Sequence, residues 1–115
     1  MAACANHLAP GLQIGPVRVT GRVLAAPMAG ISDQPYRALA RRYGAALATT
    51  EVVAARPDLV VSHQSRQRAG HVGERGPISV QLLGANPKEM AAAAQHSADH
   101  GAHIIDINMG CPAKR

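Results

Sequence analysis

Short apolar runs separated by longer polar or helix-patterned stretches are the main feature of the chain. Residues 12–19 alternate apolar and polar positions around Gly15-Pro16, which predicts a short hairpin or lead-in strand. Four later apolar runs predict strands, at residues 22–26, 45–50, 77–83 and 103–107. We expect the first of these strands to be buried on both faces. The second run is only weakly predicted to be a strand, because it is rich in alanine, which is a poor strand former.

Helix signals fall between these runs. Ser32-Asp33 supplies an N-cap and Pro35 an early-turn residue, which predicts a helix start. An apolar stripe follows at helical spacing, formed by Tyr36, Leu39, Ala40 and Tyr43. The residues off that stripe are Arg37, Arg41 and Arg42. The pattern predicts an amphipathic helix that ends at Gly44.

The second half of the chain carries one ambiguous segment and one well-marked helix start. Residues 52–62 predict a helix that begins or breaks around Pro57, and the polar stretch 63–76 predicts a surface loop. Asn86-Pro-Lys-Glu89 combines an N-cap, proline at the first helical position and a capping-box glutamate. A helix is therefore expected from there to about His100, with Gly101 ending it.

The alternation of strands and helices predicts an α/β fold with a parallel sheet, since right-handed crossovers connect successive parallel strands. No G-x-G-x-x-G or P-loop pattern follows the first strand, which disfavours a doubly wound sheet. Four strands in 115 residues is about half of a (β/α)8 TIM barrel, which needs about 250 residues. We therefore expect an N-terminal extension over residues 1–11. The N-terminal half of a barrel is expected over residues 12–115, truncated after strand four.

A length of 115 residues limits this chain to one domain or less, and its composition limits the class of protein. It is 47% hydrophobic and 17% charged, which excludes a long disordered tail, but it has no Phe or Trp, so its core is expected to be thin. The formal charge is +5, with twelve Lys and Arg against seven Asp and Glu. That surplus is typical either of a polyanionic partner such as nucleic acid or of an ordinary basic surface, because the arginines are scattered.

Cysteine usage and the chain's start indicate a cytoplasmic protein. The two cysteines, Cys4 and Cys111, lie at opposite ends and form neither a disulfide framework nor a metal motif, so a reducing compartment and no metal are expected. No signal peptide and no run of 18 apolar residues is present in the sequence, so no membrane partner is expected.

Candidate functional residues follow the predicted strands, where parallel α/β folds place their sites. They are Pro27, Met28 and Ala29 in the first loop, Glu51, Gln81 near the end of its strand, and Asn108 and Cys111 in the last loop. Most offer uncharged hydrogen-bonding or backbone groups, which suits gripping a planar heterocycle. Cys111, between Gly110 and Pro112, is a candidate nucleophile or proton donor held on a tight turn.

Each candidate also has an ordinary structural explanation. Pro27 to Gly30 is also consistent with a simple turn, Gln81 with a satisfied buried amide, and Glu51 with a carboxylate at a helix start. Asn108 is also consistent with a turn cap, and Cys111 with a small buried hydrophobic residue. The six histidines have no partner at ligand or triad spacing.

Two segments of the chain carry distinctive motifs, Leu24-Ala-Ala-Pro-Met-Ala-Gly-Ile31 and Ile104-Ile-Asp-Ile-Asn-Met-Gly-Cys-Pro-Ala-Lys114. Between them lie Asp33-x-Pro-Tyr-Arg37, Thr50-Glu51, Val80-Gln81 and Asn86-Pro-Lys-Glu-Met90. Together these motifs resemble the N-terminal third of the tRNA-dihydrouridine synthases, most closely their bacterial B-type branch. The resemblance runs from about residue 12 to the end, and its specificity comes from the two segments combined.

That resemblance implies an FMN-binding TIM barrel that reduces uridine in tRNA to 5,6-dihydrouridine, with NADPH as the hydride donor to FMN. It implies that Cys111 protonates C5 of the uracil while hydride reaches C6. Pro27, Met28 and Ala29 would lie along the flavin ring, Gln81 would bond its polar edge, and Asn108 would contact the target base or the flavin. Glu51 is a candidate on the substrate side. The family's flavin-contacting Lys, its His and its phosphate-gripping loops belong to later strands that these 115 residues do not include.

Two other hypotheses stay open on the sequence. Dihydroorotate and dihydropyrimidine dehydrogenases are FMN barrels that act on free pyrimidines and carry a similar Asn-x-Ser-Cys-Pro loop, but Gly110 replaces that serine here. The other is a non-catalytic fragment that binds RNA weakly or not at all, since four parallel strands with open edges expose backbone and apolar surface.

Overall fold

The computed structural model describes residues 11–111. It begins with a hairpin of β1 (Leu12–Ile14) and β2 (Val17–Val19), antiparallel with Leu12 opposite Val19. Gly15 turns the chain between them with φ 54°, a conformation that glycine adopts without a side-chain clash. The predicted hairpin is confirmed. The expected N-terminal extension and Cys4 lie outside the described residues, apart from Gly11.

Parallel strands follow the hairpin, as predicted. They are β3 (Leu24–Ala25), β4 (Leu47–Ala48), β5 (Val53–Ala54), β6 (Ser79–Leu83) and β7 (Ile104–Ile107). β3 pairs with β4, and β6 pairs with β5 on one side and β7 on the other, all in parallel. A bridge between Thr49 and Ser79 joins the two groups. The parallel α/β class is confirmed, while closure into a barrel stays a prediction.

The strand predicted over residues 45–50 is present as β4, and a bulge separates it from β5. β4 pairs with β3, its next residue Thr49 bridges Ser79, and β5 pairs with β6. Thr49 is opposite Ser79 and Val53 is opposite Leu82, so four residue steps on one strand match three on the other. One extra residue shifts the alternation of side chains, so Thr49 and Val53 face opposite sides of the sheet.

Four helices connect the strands: α1 (Gln34–Arg42), α2 (Pro57–Val60), α3 (His63–Ala69) and α4 (Pro87–Asp99). The side chain of Asp33 caps α1 by accepting from Tyr36 N at 2.9 Å, and Asn86 caps α4 by accepting from Lys88 N at 2.9 Å. Both predicted helix starts are confirmed. In the segment 52–62, predicted as a helix that begins or breaks around Pro57, α2 does begin at Pro57. The prediction is wrong before it, where Val53–Ala54 form β5 and pair with β6, because β-branched valine favours a strand.

The loop predicted over residues 63–76 is wrong in its first half, where α3 forms. Ser62 caps this helix by accepting from Ser65 N at 3.1 Å, and Gly70 ends it. Gln and Arg are good helix formers, so a polar stretch of this composition makes a helix once a cap begins it. The sequence does not indicate this cap clearly, because no apolar periodicity accompanies it.

The buried face of α1 also differs from the prediction. Tyr43 is 81% exposed and Leu39 53% exposed, whereas Arg37 is completely buried. The segment after α3 packs on the arginine face and brings Glu74 to it, with Arg37 Nη2 2.8 Å from Glu74 Oε2. The ion pair and its hydrogen bonds compensate the burial of the charge. Within the apolar stripe, Leu39 and Tyr43 are therefore exposed, while Tyr36 and Ala40 stay half-buried.

β3 is less buried than expected, because Leu24 is 46% exposed. The expectation of two covered faces assumed neighbours on both sides, but β3 pairs only with β4 among the described residues. The core lies further along the sheet, where helices cover one face. Its buried members are Val53, Ala55, Ile78, Val80, Leu82 and Ala93. The opposite face carries polar side chains, and Thr49 and Ser79 bond through their hydroxyls at 3.1 Å.

None of the helices within residues 11–111 is both long and apolar enough to span a lipid bilayer.

Candidate functional site

The loop after β3 is a compact turn anchored by one buried serine. Met28 O accepts from Ile31 N at 3.0 Å and from Ser32 N at 2.9 Å, and Gly30 adopts φ 73°. The Ser32 hydroxyl, fully buried, accepts from Met28 N at 2.8 Å. The turn alternative for Pro27 to Gly30 is therefore correct as local structure, and Ala29 lies exposed on it.

Glu51 holds this loop against the second strand. Its Oε1 accepts from Gly30 N at 2.5 Å, and only 8% of the residue is exposed. The alternative of a helix-start carboxylate is wrong, because Glu51 lies between β4 and β5. A charged acceptor on a backbone N–H is a strong hydrogen bond, so Glu51 fixes the position of Gly30 relative to the sheet.

Gln81 lies on the polar face of β6 and bonds to neighbours at both ends of its amide. Nε2 donates to Asp106 Oδ2 at 2.5 Å, and Oε1 accepts from Asn108 Nδ2 at 3.3 Å. Gln81 and Asp106 are direct cross-strand partners between β6 and β7. The residue is 7% exposed, so these bonds satisfy a buried amide.

Asn108 connects Gln81 to the loop that carries Cys111. Its Oδ1 accepts from Gly110 N and from Cys111 N, both at 3.0 Å. The turn-cap alternative for Asn108 is therefore confirmed, together with its link to Gln81. Cys111 is exposed with a free thiol, which excludes the alternative of a small buried hydrophobic residue.

The structure joins the candidates through one residue that sequence reasoning missed. Thr50 is 1% exposed, and its Oγ1 accepts from Gln81 N at 3.2 Å. It precedes Glu51, so the bulge that carries both residues connects the Gly30 loop to the Gln81 group. The available sequence signal was a threonine hydroxyl within a predicted strand that contains few strand-forming residues.

Asp106 is the other missed residue. The sequence showed it as a carboxylate inside the apolar run 103–107, and charged residues are depleted in strands. Such a residue needs a partner, and here Gln81 provides it. No group of three or more His, Cys, Asp and Glu side chains in residues 11–111 is arranged to hold a metal ion.

This geometry defines a class of protein: a parallel α/β domain whose strand-end loops gather two amides, two carboxylates and an exposed thiol. The dihydrouridine synthase (Dus) family model matches residues 23–115. The chain is 53% identical over 104 residues to tRNA-dihydrouridine synthase B of Shewanella oneidensis, covering 90% of this chain and 32% of that protein. The corresponding protein of Xanthomonas campestris is 48% identical over 104 residues, with 90% of this chain and 31% of that protein covered.

The chain belongs to the dihydrouridine synthase family, which confirms the resemblance drawn from the motifs. It spans about one third of the length of the curated relatives that it matches.

Proposed function

We propose that this protein contributes the first strands of an FMN-dependent, NADPH-driven tRNA-dihydrouridine synthase, which reduces uridine in tRNA to 5,6-dihydrouridine. The main support is the connected group of Gln81, Asn108 and the Cys111 loop at the strand ends of a chain that belongs to this family. Membership in the family disfavours the alternative of a free-pyrimidine dehydrogenase.

The residues present fit a flavin. Gln81 uses one of its two Nε2 hydrogens and one of the acceptor positions on Oε1, so a donor and an acceptor are left for a planar heterocycle. The turn at Pro27, Met28 and Ala29 is held from behind by Ser32 and Glu51, and can support a ring through its backbone. When bound, FMN supplies the hydride to C6 of the uracil.

The chain's own residues supply the proton and the positioning. Carbanion character develops at C5 as C6 gains hydride, so the transition state needs an acid there. In this proposal the Cys111 thiol donates that proton, and Asn108 orients both the turn beneath it and the target base. Glu51 acts by holding the Gly30 loop, which refines its expected place on the substrate side.

The tRNA partner is supported by a basic groove along α1. The groove measures about 480 Å³ and lies between α1 and residues 73–75, with Arg41, Arg42, Glu74 and Arg75 among its lining residues. Arg37 and Arg41 pair with Glu74, whereas Arg42 and Arg75 form no ion pair within residues 11–111. Two unpaired guanidinium groups can contact RNA phosphates. With tRNA as the substrate, the proposed site of action is the cytoplasm.

Replacing Cys111 tests the proposed chemistry directly. In the protein at its full natural length, Cys111→Ala is expected to lower dihydrouridine formation about 100-fold or more, since a positioned general acid contributes about that much. Dihydrouridine in tRNA is measured by mass spectrometry, with FMN binding measured in parallel and expected to persist.

The matched control is Cys4→Ala, which makes the same change at the chain's other cysteine. It is expected to leave the rate unchanged. Undiminished product in Cys111→Ala would remove Cys111 from the proposed role.

A further inference from the structure

Three polar side chains at the strand ends form a hydrogen-bonded chain whose two ends are chemically fixed. At one end the Asp106 carboxylate only accepts, and at the other the backbone N–H groups of Gly110 and Cys111 only donate. Gln81 and Asn108 lie between these ends. Each amide has one donor end and one acceptor end, so each taken alone can adopt either orientation.

Both ends impose the same orientation on the two amides. Because Asp106 accepts, Gln81 must turn Nε2 to it and Oε1 to Asn108, which must then turn Nδ2 to Gln81. That leaves Asn108 Oδ1 for the loop, where two N–H groups need an acceptor. Starting from the loop gives the same result, so the chain runs in one direction without conflict.

We propose that Asp106 is a positioning residue that fixes the orientation of the Gln81 and Asn108 amides and, through them, the turn that presents Cys111. Its effect on catalysis rests on the proposed function, whereas its effect on the turn does not. A carboxylate at this position fixes the chain from its second end. An amide there could donate or accept, so only the two loop N–H groups would hold the orientation, and the reversed orientation of Gln81 would be populated more often.

The strand position of Asp106 supports this assignment. The residue is only partly exposed and follows two isoleucines that are themselves half-buried, so placing a charge there carries a desolvation cost. Asp106 is paired with Gln81 both by strand register and by its side chain. No cation pairs with it within residues 11–111, so its bonding partner is the amide alone.

Amide hydrogen exchange in the unliganded protein at full natural length tests the positioning. Asp106→Asn is expected to raise the exchange rates of the Gly110 and Cys111 N–H groups roughly fivefold, because the orientation of their acceptor is then held from the loop end alone. The matched control is Asp99→Asn, since Asp99 Oδ1 also accepts from a glutamine, Gln95, at 2.8 Å on exposed helix surface. It is expected to leave these rates unchanged.

A double variant distinguishes a change in hydrogen-bond direction from general destabilisation of the site. Adding Gln81→Glu to Asp106→Asn exchanges the amide and the carboxylate, so the new carboxylate accepts both from the new amide and from Asn108 Nδ2. The orientation of Asn108 is then fixed again, and exchange at Gly110 and Cys111 is expected to return to the wild-type rate. Unchanged exchange in Asp106→Asn, or no recovery in the double variant, would overturn the proposal.

Turnover tests the catalytic half separately. Asp106→Asn is expected to lower kcat for tRNA reduction about tenfold while KM for tRNA stays constant, since orientation near the reacting atoms is lost and contacts to phosphates are kept. Unchanged kcat alongside raised exchange would refute the catalytic consequence. A wild-type protein that makes no dihydrouridine would refute the proposed function and leave the exchange result standing.

Discussion

Two hydrogen-bond networks in this molecule each centre on a carboxylate, and they differ in how accessible their polar groups are to a ligand. Glu74 is 2% exposed and takes bonds from Arg37 and Arg41, while Arg37 also donates to Ser32 O and Gly70 O. At the strand ends, Asp106 accepts from Gln81, which bonds Asn108, and both amides keep unused donors or acceptors.

The difference distinguishes a structural network from a functional one. The Arg37 network is buried, since the side chains of Arg37 and Glu74 are 0% and 2% exposed. Two of the three groups that bond Arg37 are backbone carbonyls, which tie the loop after β3 to the end of α3. The network at the strand ends is partly open and adjoins an exposed thiol. Hydrogen-bonding groups beside solvent are what a ligand needs, so a buried ion pair, however strong, is poor evidence for a site.

The largest effect on stability is expected from the buried Arg37 network. Arg37→Ala leaves Glu74 with only its longer contact to Arg41 and frees two backbone carbonyls, so it should lower the free energy of unfolding by about 3–5 kcal/mol. Urea unfolding followed by circular dichroism measures the change.

The exposed pair of Arg56 and Asp58, at 2.9 Å, provides the control. Both side chains are more than half exposed, so Arg56→Ala should cost less than about 1 kcal/mol. Equal costs for the two variants would contradict the structural role assigned to the Arg37 network.

A smaller effect on stability is expected where the second strand supports the site. Thr50→Val keeps the shape of the side chain but leaves the buried N–H of Gln81 without an acceptor, at a cost of about 1–3 kcal/mol. Thr50→Ser retains the hydroxyl and should cost less. If urea unfolding gives the same stability for valine and wild type, the hydroxyl does not replace a backbone acceptor at the bulge.

The smallest effect on stability is expected at the basic groove, where binding is the quantity that changes. Arg42→Ala/Arg75→Ala should alter unfolding free energy by less than about 0.5 kcal/mol. The slope of log Kd for tRNA against log salt should fall by about 1.5, at roughly 0.7–0.9 for each phosphate contact.

The control for the groove is Arg18→Ala/Arg22→Ala, which removes the same charge from two other exposed arginines. Equal slope changes in both double variants would show a general charge effect and no groove-specific contact.

The sequence predicted the fold well where local rules dominate. Asp33 and Asn86 mark helix starts by side-chain chemistry, and the largely apolar run 77–83 marks β6, so these elements needed no tertiary information. The face of α1 could not be predicted, because Glu74 approaches Arg37 from 37 residues away and reverses the usual preference for burying leucine.

The sequence predicted the positions of most candidate-site residues, but it missed part of the contacts that join them. Glu51, Gln81, Asn108 and Cys111 follow from the rule that strand ends carry function, and the structure links three of them directly. Thr50 and Asp106 were missed because their importance lies in pairing between strands, which depends on register. The bulge sets the register at Thr50, and the pairing of β6 with β7 sets it at Asp106; no local sequence pattern predicts either one.

The bulge also determines which face of the sheet each later side chain of this strand occupies. The extra residue between Thr49 and Val53 lets a hydroxyl meet Ser79 while a valine enters the core. A regular strand over the same residues would alternate strictly and place either Thr49 among the helices or Val53 on the polar face. A relative without the extra residue must therefore be aligned with a one-residue gap between positions 49 and 53. An ungapped alignment would assign every later side chain of the strand to the wrong face.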